Sequence, residues 1–372
     1  MVEWKKLGDI TNRNKGIPIT AGQMNELASD DGNVRVFAAG STIADIDENK
    51  LPENCAHKLP SIIVKSRGYI DFEFYEKPFT HKNEMWSYSF KNKEVGKFIY
   101  YYLTTKTEFF RKKAKANSVK LPQLCVADTD EYPIPILSFQ EQTQIVGILD
   151  TFTASIENLK QQIAERRKQF EHYRDQLLDL QGKEGVEMKA LGKVCGIYDG
   201  THQTPKYQEE GIKFVSVENI KNLYASNKYI SLEDYHNNYK TKPQKGDVLM
   251  TRIGDVGSCA VIDKDEPIAY YVSLALLRPN ANIVLSNYIK FLLESSTGKI
   301  ELRKRTLLTA VPLKINLGEI GKLYLPIPSL SEQSRIVSIL DTFEASIQNL
   351  EAQLKEREKQ YEYYRNKLLT FE

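Results

Sequence analysis

The chain contains two closely similar segments of 40 residues each, and this duplication constrains its fold more than any other feature. Residues 141–180 recur as residues 332–371 at a constant offset of 191, with 24 of the 40 aligned positions identical. Each copy follows a Pro-Ile-Pro sequence, at Pro133–Pro135 and at Pro326–Pro328. Because proline cannot continue a helix and biases its neighbours toward extended backbone, each sequence marks the boundary between a globular segment and a helix. The chain is therefore a repeat of one structural unit.

Apolar residues in each copy alternate at steps of four and three, which is typical of a helix whose seam is buried by another long helix. The predicted coiled-coil seam consists of Ile145, Leu149, Phe152, Ile156, Leu159 and Ile163 in the first copy and Ile336, Leu340, Phe343, Ile347, Leu350 and Leu354 in the second. If the chain between the copies turns round, the two helices can bury each other. We therefore expect an antiparallel intramolecular pair, with helices roughly 50 Å long at 1.5 Å per residue.

One seam position is basic in both copies, at Arg166 and Arg357. A charge at a seam costs stability, but it can fix the register or orientation of a coiled coil. Alternatively, each arginine extends along its stem into solvent. The sequence leaves both interpretations open.

The segments before the helices are also related, although only faintly. Residues Val2–Gly8 are echoed by Val186–Gly192, where a second globular segment begins. The predicted domains are a first globular domain (1–140), a first long helix (141–182), a second globular domain (183–331) and a second long helix (332–372). The predicted fold class is α+β, with two small globular domains separated by an antiparallel coiled coil and related by a pseudo-two-fold internal repeat.

Short β-type runs and basic helices recur in both globular segments. The predicted strands include Val34–Phe37 and Ser61–Val64 in the first segment, and Lys213–Val217 and Asp247–Met250 in the second. One helix is predicted over Lys97–Ala114 and another over Asn287–Arg305, each ending in a cluster of basic residues.

Charge is distributed unevenly along a chain whose net charge is only +2. Residues 141–180 contain five basic and seven acidic side chains and residues 332–372 contain six and eight, so the helices carry −4 and the globular segments carry +6. Basic globular segments fit nucleic-acid binding, although ordinary solvation of surface charge remains an alternative.

Composition predicts a cytoplasmic protein. No apolar stretch approaches the length of a membrane span, and the N-terminal sequence has no basic start followed by an apolar run. The four cysteines lie far apart, without metal-ligand spacing, and are expected to be reduced. We therefore predict neither a metal site nor a membrane partner.

Glycine turns and basic clusters supply the candidate DNA-binding residues. Small hydroxyl and arginine side chains beside a glycine allow close approach to a phosphate or a guanine edge, although a tight hairpin with a solvated arginine gives the same sequence. Cations also favour helix C-termini, an alternative explanation for the clusters. The candidates are Lys65, Ser66, Arg67, Arg111, Lys112, Lys113 and Lys115 in the first segment, and His202, Gln203, Thr204, Thr251, Arg252, Arg303, Lys304 and Arg305 in the second.

Motifs of catalysis are missing from the sequence. It contains no Gly-x-Gly cofactor loop, no Walker lysine and no His-Glu-x-x-His. No catalytic residue is therefore predicted.

The chain resembles the specificity subunits of type I restriction-modification enzymes over essentially its whole length. The resemblance lies in the EQxxIVxILD start of each helix, the two Pro-Ile-Pro boundaries, the segments Asp199–Pro205 and Val217–Ile220, and the segment Lys245–Gly254. The last segment has only a loose counterpart in the first half, Lys65–Gly68.

This resemblance implies that each globular domain is a target recognition domain for one half of a bipartite double-stranded DNA sequence. The paired helices would set the spacer and dock two modification subunits, and restriction/translocase subunits would join through the complex. S-adenosylmethionine, ATP and Mg²⁺ would bind only to partner subunits, and this chain would bind no cofactor and catalyse nothing. A non-enzymatic protein-binding adaptor is the main alternative, and an enzyme with an unrecognised site is a third.

Overall fold

A computed structural model describes residues 2–118 and 120–371 of the chain. The chain divides into two compact units: a first unit of Met1–Lys160 with Ala352–Glu372, and a second unit of Gln161–Glu351. Each unit combines a globular segment with part of both long helices. The division thus passes through the helices, whereas the domains expected from the sequence ended at residues 140, 182 and 331.

The first unit is built from short strands and helices. Its strands are β1 (Glu3–Lys6), β2 (Asn12–Lys15), β3 (Val34–Phe37), β4 (Ile43–Ile46), β5 (Ser61–Lys65), β6 (Asp71–Tyr75), β7 (Phe79–His81), β8 (Trp86–Ser89) and β9 (Pro133–Ile136). Its short helices are α1 (Leu7–Ile10), α2 (Ala21–Leu27), α3 (Lys93–Thr104), α4 (Thr107–Asn117) and α5 (Val126–Asp130), followed by the first long helix α6 (Phe139–Leu178).

The second unit has a matching set. Its strands are β10 (Glu187–Ala190), β11 (Cys195–Asp199), β12 (Ile212–Val215), β13 (Tyr229–Ile230), β14 (Val248–Thr251), β15 (Cys259–Val261), β16 (Ile268–Tyr270), β17 (Leu274–Pro279) and β18 (Tyr324–Ile327). Its short helices are α7 (Leu191–Val194), α8 (Leu232–Asn238), α9 (Ser286–Glu294), α10 (Ser296–Arg305) and α11 (Leu317–Ile320), followed by the second long helix α12 (Leu330–Leu368).

The sheets of the two units have the same topology. An antiparallel sheet of order β2-β8-β5-β6 in the first unit corresponds to β11-β17-β14-β15 in the second. A sheet of order β4-β3-β7 corresponds to β13-β12-β16, and in each the second pair is parallel. The faint sequence echo between the globular segments therefore reflects a shared α+β fold, as the internal repeat predicted.

The two similar segments that begin the globular domains each form one strand of a pair. Strand β1 pairs antiparallel with β9, and β10 pairs antiparallel with β18. The start of each globular segment is thereby tied to the Pro-Ile-Pro sequence that precedes its long helix. Leu7 and Leu191, which follow the two first strands, are fully buried. Each repeated segment therefore closes its globular domain where the helix begins.

The first turn of each long helix is fixed by side-chain hydrogen bonds. Ser138 and Glu141 form a reciprocal capping box at the start of α6. Gln142, the next residue, is buried and donates to Leu137 O at 2.9 Å. At the start of α12, Gln333 is fully buried and donates to Pro328 O at 2.9 Å. These contacts explain the glutamine that begins both copies of the repeat and the glutamate before it in the first copy.

The predicted seam residues are buried or half-buried throughout. In the first unit, Ile145 and Leu149 join the core of the globular segment together with Leu369 from α12. In the second unit, Ile336 and Leu340 join the core with Leu178 from α6. Within each unit, the start of one long helix thus packs with the end of the other, which is the antiparallel arrangement expected from the sequence.

The contacts between the helices occur in reciprocal pairs. Phe152 stacks on Tyr364 in the first unit, and Phe343 stacks on Tyr173 in the second, with ring centroids 5.4 Å apart in both cases. The offset of 191 relates Phe152 to Phe343 and Tyr173 to Tyr364. An antiparallel pair of repeated helices must form each contact twice, and these aromatic pairs satisfy that requirement.

The two basic seam residues lie over the same aromatic rings. The guanidinium of Arg166 is 5.8 Å from the centroid of Phe343, and that of Arg357 is 5.7 Å from the centroid of Phe152. Both arginines therefore make cation-π contacts at the seam, which are worth about 0.5–1 kcal/mol at half-exposed sites. This arrangement differs from simple extension into solvent, and because the contact occurs twice it also favours one register.

The structure corrects the two helices predicted over Lys97–Ala114 and Asn287–Arg305. In each unit the predicted helix is broken into two, α3 with α4 and α9 with α10. The hydroxyl of Thr105 donates to Tyr102 O, and the hydroxyl of Ser295 donates to Leu292 O, both at 2.7 Å. Such hydroxyls compete with the backbone for helical hydrogen bonds and favour termini over helix interiors.

Candidate nucleic-acid interface

The glycine turn of the first unit follows β5 and presents Arg67. Gly68 has a φ of +77°, a conformation that favours glycine, and its N–H donates to Pro122 O at 2.9 Å. Backbone pairing between Arg67 and Gln123 holds the same turn against the segment before α5. Arg67 is exposed, so its side chain is available to a ligand.

The other two predicted residues of this turn have internal partners. Lys65 forms an ion pair with Glu73 at 2.7 Å. Ser66 is buried, and its hydroxyl donates to Glu84 O at 2.5 Å. In this conformation Lys65 and Ser66 stabilise the turn, and Arg67 is the member of the trio that faces solvent.

The basic cluster of α4 begins with Arg111, which has several contacts within the unit. Its Nε donates to Ile70 O at 3.1 Å and its Nη1 to Glu108 at 2.7 Å. The guanidinium also lies 4.8 Å from the ring centroid of Tyr69. Tyr69 is 60% exposed, so Arg111 supports an aromatic ring that faces solvent. The sequence analysis did not select Tyr69, although its position directly after the glycine turn is a signal for it.

The lysines of this cluster differ in their surroundings. Lys113 pairs with Asp128 at 3.2 Å. Burial would raise the pKa of Asp128, but hydrogen bonds from Cys125 together with Lys113 hold that pKa below its ordinary value. Lys112 and Lys115 are exposed. Lys113 is therefore engaged with the fold, and the other two lysines can contact a ligand.

Four of these side chains and the glycine turn surround one open pocket. The pocket has a volume of about 400 Å³ and is lined by Gly68, Tyr69, Arg111, Lys112 and Lys115, among others. Cationic groups around an aromatic ring can bind a phosphate and a neighbouring base. The structure thus brings the turn and the basic cluster of the first unit together.

In the second unit, Thr251 and Arg252 are turned inward. Thr251 is fully buried, and its hydroxyl oxygen accepts from Ser258 N–H at 3.0 Å. Arg252 is 9% exposed, and its Nε donates to Val272 O at 2.7 Å. Its Nη2 lies 3.3 Å from Asp199 Oδ1. Both residues were predicted to contact DNA, and in this conformation their polar atoms bond within the unit.

The Arg252–Asp199 pair connects the two motifs that the sequence analysis treated separately. Asp199 ends strand β11, and its Oδ2 is 2.9 Å from His202 Nε2. His202, Gln203 and Thr204 are all exposed. The buried arginine therefore fixes the base of an exposed polar loop, and the loop carries the side chains that face solvent.

The basic end of α10 is partly neutralised. Lys304 forms an ion pair with Glu301, and Arg305 lies 3.3 Å from Glu319. Arg303 is exposed. Among the described residues, the ion pairs include Lys304 and Arg305 but not Arg303. Arg303 is thus the member of this predicted cluster with a guanidinium available to a ligand.

The structure also shows a feature that the sequence analysis missed. The segment after α10 exposes aliphatic side chains, and Val311 is 99% exposed. The run of leucine and valine between Arg305 and Pro312, outside any predicted helix, was a signal for it.

Metal-binding clusters and membrane-spanning helices are both absent from the part of the chain that the structure describes. No group of three or more His, Cys, Asp or Glu side chains there could hold a metal ion. No helix among those residues is long and apolar enough to cross a membrane.

Comparison with known proteins matches this architecture to a family. The family model described as "Type I restriction modification DNA specificity domain" matches residues 1–166 and 183–358. The chain belongs to this family. The two matched ranges correspond to the two halves of the internal repeat, so the chain contains two copies of this domain.

Relatives within the family extend over the whole chain. The specificity subunit of the type I restriction enzyme EcoR124I/EcoR124II from Escherichia coli is 30% identical over 401 residues, which cover 100% of this chain and 94% of that protein. The putative specificity subunit S.HindORF215P from Haemophilus influenzae is 27% identical over 397 residues, covering 100% and 96%.

Solved structures support the fold of the specificity-subunit family. The crystal structure of the type I restriction-modification S subunit from M. genitalium superposes with a TM-score of 0.65 at 16% identity, covering 100% of this chain and 97% of that chain. A chain from a structural study of complex assembly and conformational transition in the type I restriction-modification system gives a TM-score of 0.56 at 17% identity, covering 99% and 96%.

Proposed function

We propose that this chain is the DNA-recognition subunit of a type I restriction-modification complex and that each unit reads one half of a bipartite target. The observation that carries the proposal is the repeated architecture: two globular segments have the same sheet topology but different surfaces. A single repeated reader would favour a symmetric target, whereas divergent readers favour two unlike half-sites. The net charge of +6 on the globular segments fits a polyanionic ligand.

Exposed candidates take the contact role in this proposal. In the first unit these are Arg67, Lys112 and Lys115, with Arg111 holding Tyr69 beside them. Phosphate contacts fix position on the duplex, and groove contacts identify bases. The pocket of the first unit offers both kinds of group within one surface.

In the second unit, the exposed loop with His202, Gln203 and Thr204 takes the contact role, together with Arg303. Thr251 and Arg252 have a positioning role, because the Thr251 hydroxyl accepts a hydrogen bond from Ser258 N–H and Arg252 forms an ion pair with Asp199. The same distinction applies to Ser66 in the first unit.

The long helices set the spacer and dock two modification subunits in this proposal. Several solvent-facing apolar residues of the helices recur at the offset of 191. Phe139 and Leu330 are 55% and 37% exposed, and Tyr173 and Tyr364 are 44% and 42% exposed. Equivalent exposed positions in both copies favour two equivalent partners, one for each unit.

The chain acts without catalysis of its own in this proposal. S-adenosylmethionine would bind to the modification subunits, and ATP and Mg²⁺ would serve the restriction/translocase subunits. The complex would act on DNA in the cytoplasm. Methyl transfer or DNA cleavage by the purified chain alone would contradict this assignment.

A chimera tests the division into two half-sites. Residues 191–328 are exchanged for the matching segment of another family member, and methylated adenines are mapped across the genome of a host that carries the modification subunits. We expect one half of the bipartite motif to change while the other half stays. The parent chain is the matched control, and a host without the chain should lose the methylation pattern.

Two results would contradict the proposal. If methylation persists without the chain, the chain does not recognise the target. If the chimera changes both half-sites together, one half-site cannot be assigned to each unit. A gel-shift series at increasing salt adds an independent measurement, because a DNA reader must give a salt-dependent, sequence-selective complex. An adaptor that binds only proteins would give neither result.

A further inference from the structure

The second unit exposes a compact aliphatic loop next to its glycine turn. Within Thr306–Leu313, the exposed fractions are 41% for Leu307, 55% for Leu308, 99% for Val311 and 41% for Leu313. Single exposed aliphatic residues are ordinary on a protein surface. Four within seven consecutive residues form a patch, and a patch of that kind indicates a binding surface.

The loop is held in place by the fold. Leu307 N–H donates to Lys314 O at 2.8 Å, which closes the loop at its base. Gly254 N–H donates to Leu313 O at 2.7 Å, and Ile253 pairs with Lys314 as an isolated bridge. The aliphatic residues therefore project from a closed loop that is attached to the glycine turn of the second unit.

Cationic side chains flank the loop in sequence on both sides. Arg303 precedes the loop and Lys314 follows it, and both are exposed. The ion pairs formed among the described residues include neither of them. An apolar patch between two available cations complements a ligand that has anionic edges and an apolar group between them. Duplex DNA has this pattern, since phosphates border a groove that contains base edges.

The chemistry of the loop restricts what it can recognise in that groove. Leucine and valine side chains neither donate nor accept hydrogen bonds, so they cannot read the polar groups of a base pair. The major groove presents one apolar group, the C5-methyl of thymine. An aliphatic side chain can therefore recognise a base pair in this groove by contact with the thymine methyl.

We propose that the loop Thr306–Leu313 reads thymine methyl groups in the half-site bound by the second unit. Val311 and Leu308 make the methyl contacts, because they are the most exposed aliphatic residues of the loop. Arg303 and Lys314 bind the flanking phosphates. The proposal rests on the proposed function and adds the base chemistry that one half-site must contain.

The test uses the full chain assembled with its modification subunits and DNA in which thymidine is replaced by deoxyuridine, which lacks the methyl group. A library of randomised duplexes, prepared once with thymidine and once with deoxyuridine, is selected on the complex, and the affinities of the enriched duplexes are measured. We expect substitution within one half-site to weaken binding about four-fold per contacted methyl, equivalent to ~0.8 kcal/mol.

Variants of the loop assign the effect to this chain. Val311→Ser and Leu308→Ser should each reduce the preference for thymidine over deoxyuridine in that one half-site and leave the other half-site unchanged. Leu232→Ser is the matched control, because Leu232 is 59% exposed but lies on α8, outside the loop. A melting temperature within ~2 °C of the parent value would show that the exposed substitutions leave the fold intact.

The outcomes separate this proposal from the function on which it rests. Sequence-selective binding that ignores deoxyuridine in both half-sites would overturn the loop assignment and leave DNA recognition standing. An absence of selective binding in either library would overturn both. If Val311→Ser weakens assembly with the modification subunits while the complex that does form keeps the thymidine preference, the loop is a protein-docking surface and the proposal is wrong.

Discussion

The buried glutamine that begins each long helix offers a matched pair of substitutions with different expected costs. Gln333 is fully buried, its Nε2 donates to Ile283 O and Pro328 O, and its Oε1 accepts from Leu285 N–H, each at 2.9 Å. Gln333→Ala removes the side-chain partner of all three backbone groups, of which Pro328 O is buried and the other two are partly buried. Because such a group costs about 1–3 kcal/mol, we expect the second unit to lose about 3–5 kcal/mol of stability.

Gln142 is the equivalent residue of the first unit and serves as the control. Its Nε2 donates to Leu137 O at 2.9 Å, and among the described residues its buried Oε1 has no hydrogen-bond partner. Gln142→Ala therefore removes one hydrogen bond and also removes a buried unsatisfied acceptor. We expect a cost of about 1 kcal/mol in the first unit.

Hydrogen exchange followed by mass spectrometry measures both effects in the full chain, because it reports opening of each unit separately. We expect Gln333→Ala to speed exchange of the slowest amides in β14 and β17 by more than two powers of ten, since about 1.4 kcal/mol corresponds to a factor of ten. Amides of β5 and β8 should change by about one power of ten or less in Gln142→Ala. Equal effects of the two substitutions on their own units would refute the reasoning.

Three further predictions concern pH, salt and spacing. Burial lowers the pKa of His81 to about 4, below the value of about 6.5 in an unfolded chain. The unfolded state therefore binds a proton first as pH falls, and the first unit should lose up to about 3 kcal/mol between pH 6.5 and 4; urea unfolding at several pH values should show this slope, and His81→Asn should flatten it. Lys115→Ala should weaken binding to all duplexes alike and reduce the slope of log affinity against log salt by about 1 in gel shifts, whereas a change in base preference would contradict a phosphate contact. A heptad inserted in each long helix adds about 10.5 Å and should lengthen the preferred spacer by about three base pairs; methylation mapping that shows altered half-sites with an unchanged gap would reject the spacer role.

The features that follow from periodicity were predictable from the sequence. The seam positions and the antiparallel pairing depend on a repeat with period 3.5 and a closely similar copy of it, and both are visible in one chain. The strands over Val34–Phe37 and Ser61–Val64 were confirmed as β3 and β5, with β5 one residue longer. The runs in the second half were confirmed as β12 (Ile212–Val215) and β14 (Val248–Thr251).

The direction of individual polar side chains was not predictable. Thr251 and Arg252 occupy a turn whose sequence suggested contact with DNA, yet Thr251 bonds to Ser258 across the turn and Arg252 bonds to Val272 and Asp199, which lie far away in sequence. The helix breaks at Thr105 and Ser295 have a local cause, since hydroxyl groups outweigh the apolar periodicity that continues across each break. The scaffold and the candidate loops were therefore predictable from the sequence. Which side chains face solvent depends on contacts formed in the folded unit.

The reciprocal contacts of the helices explain why these segments stay similar while the globular segments diverge. The ion pairs Lys160–Glu358 and Arg167–Glu351 occupy equivalent positions, with N–O distances of 3.9 and 2.5 Å, although the charges are exchanged between the copies and α6 supplies the cation in both units. Each long helix contributes its first part to one unit and its second part to the other, so each copy must fit the seams of both units. Each globular segment packs on the long helices through buried core residues, and its exposed surface is free to change with the DNA sequence it reads. Because each helix takes part in two seams, its sequence is constrained twice. Each recognition surface is constrained only by its own half-site.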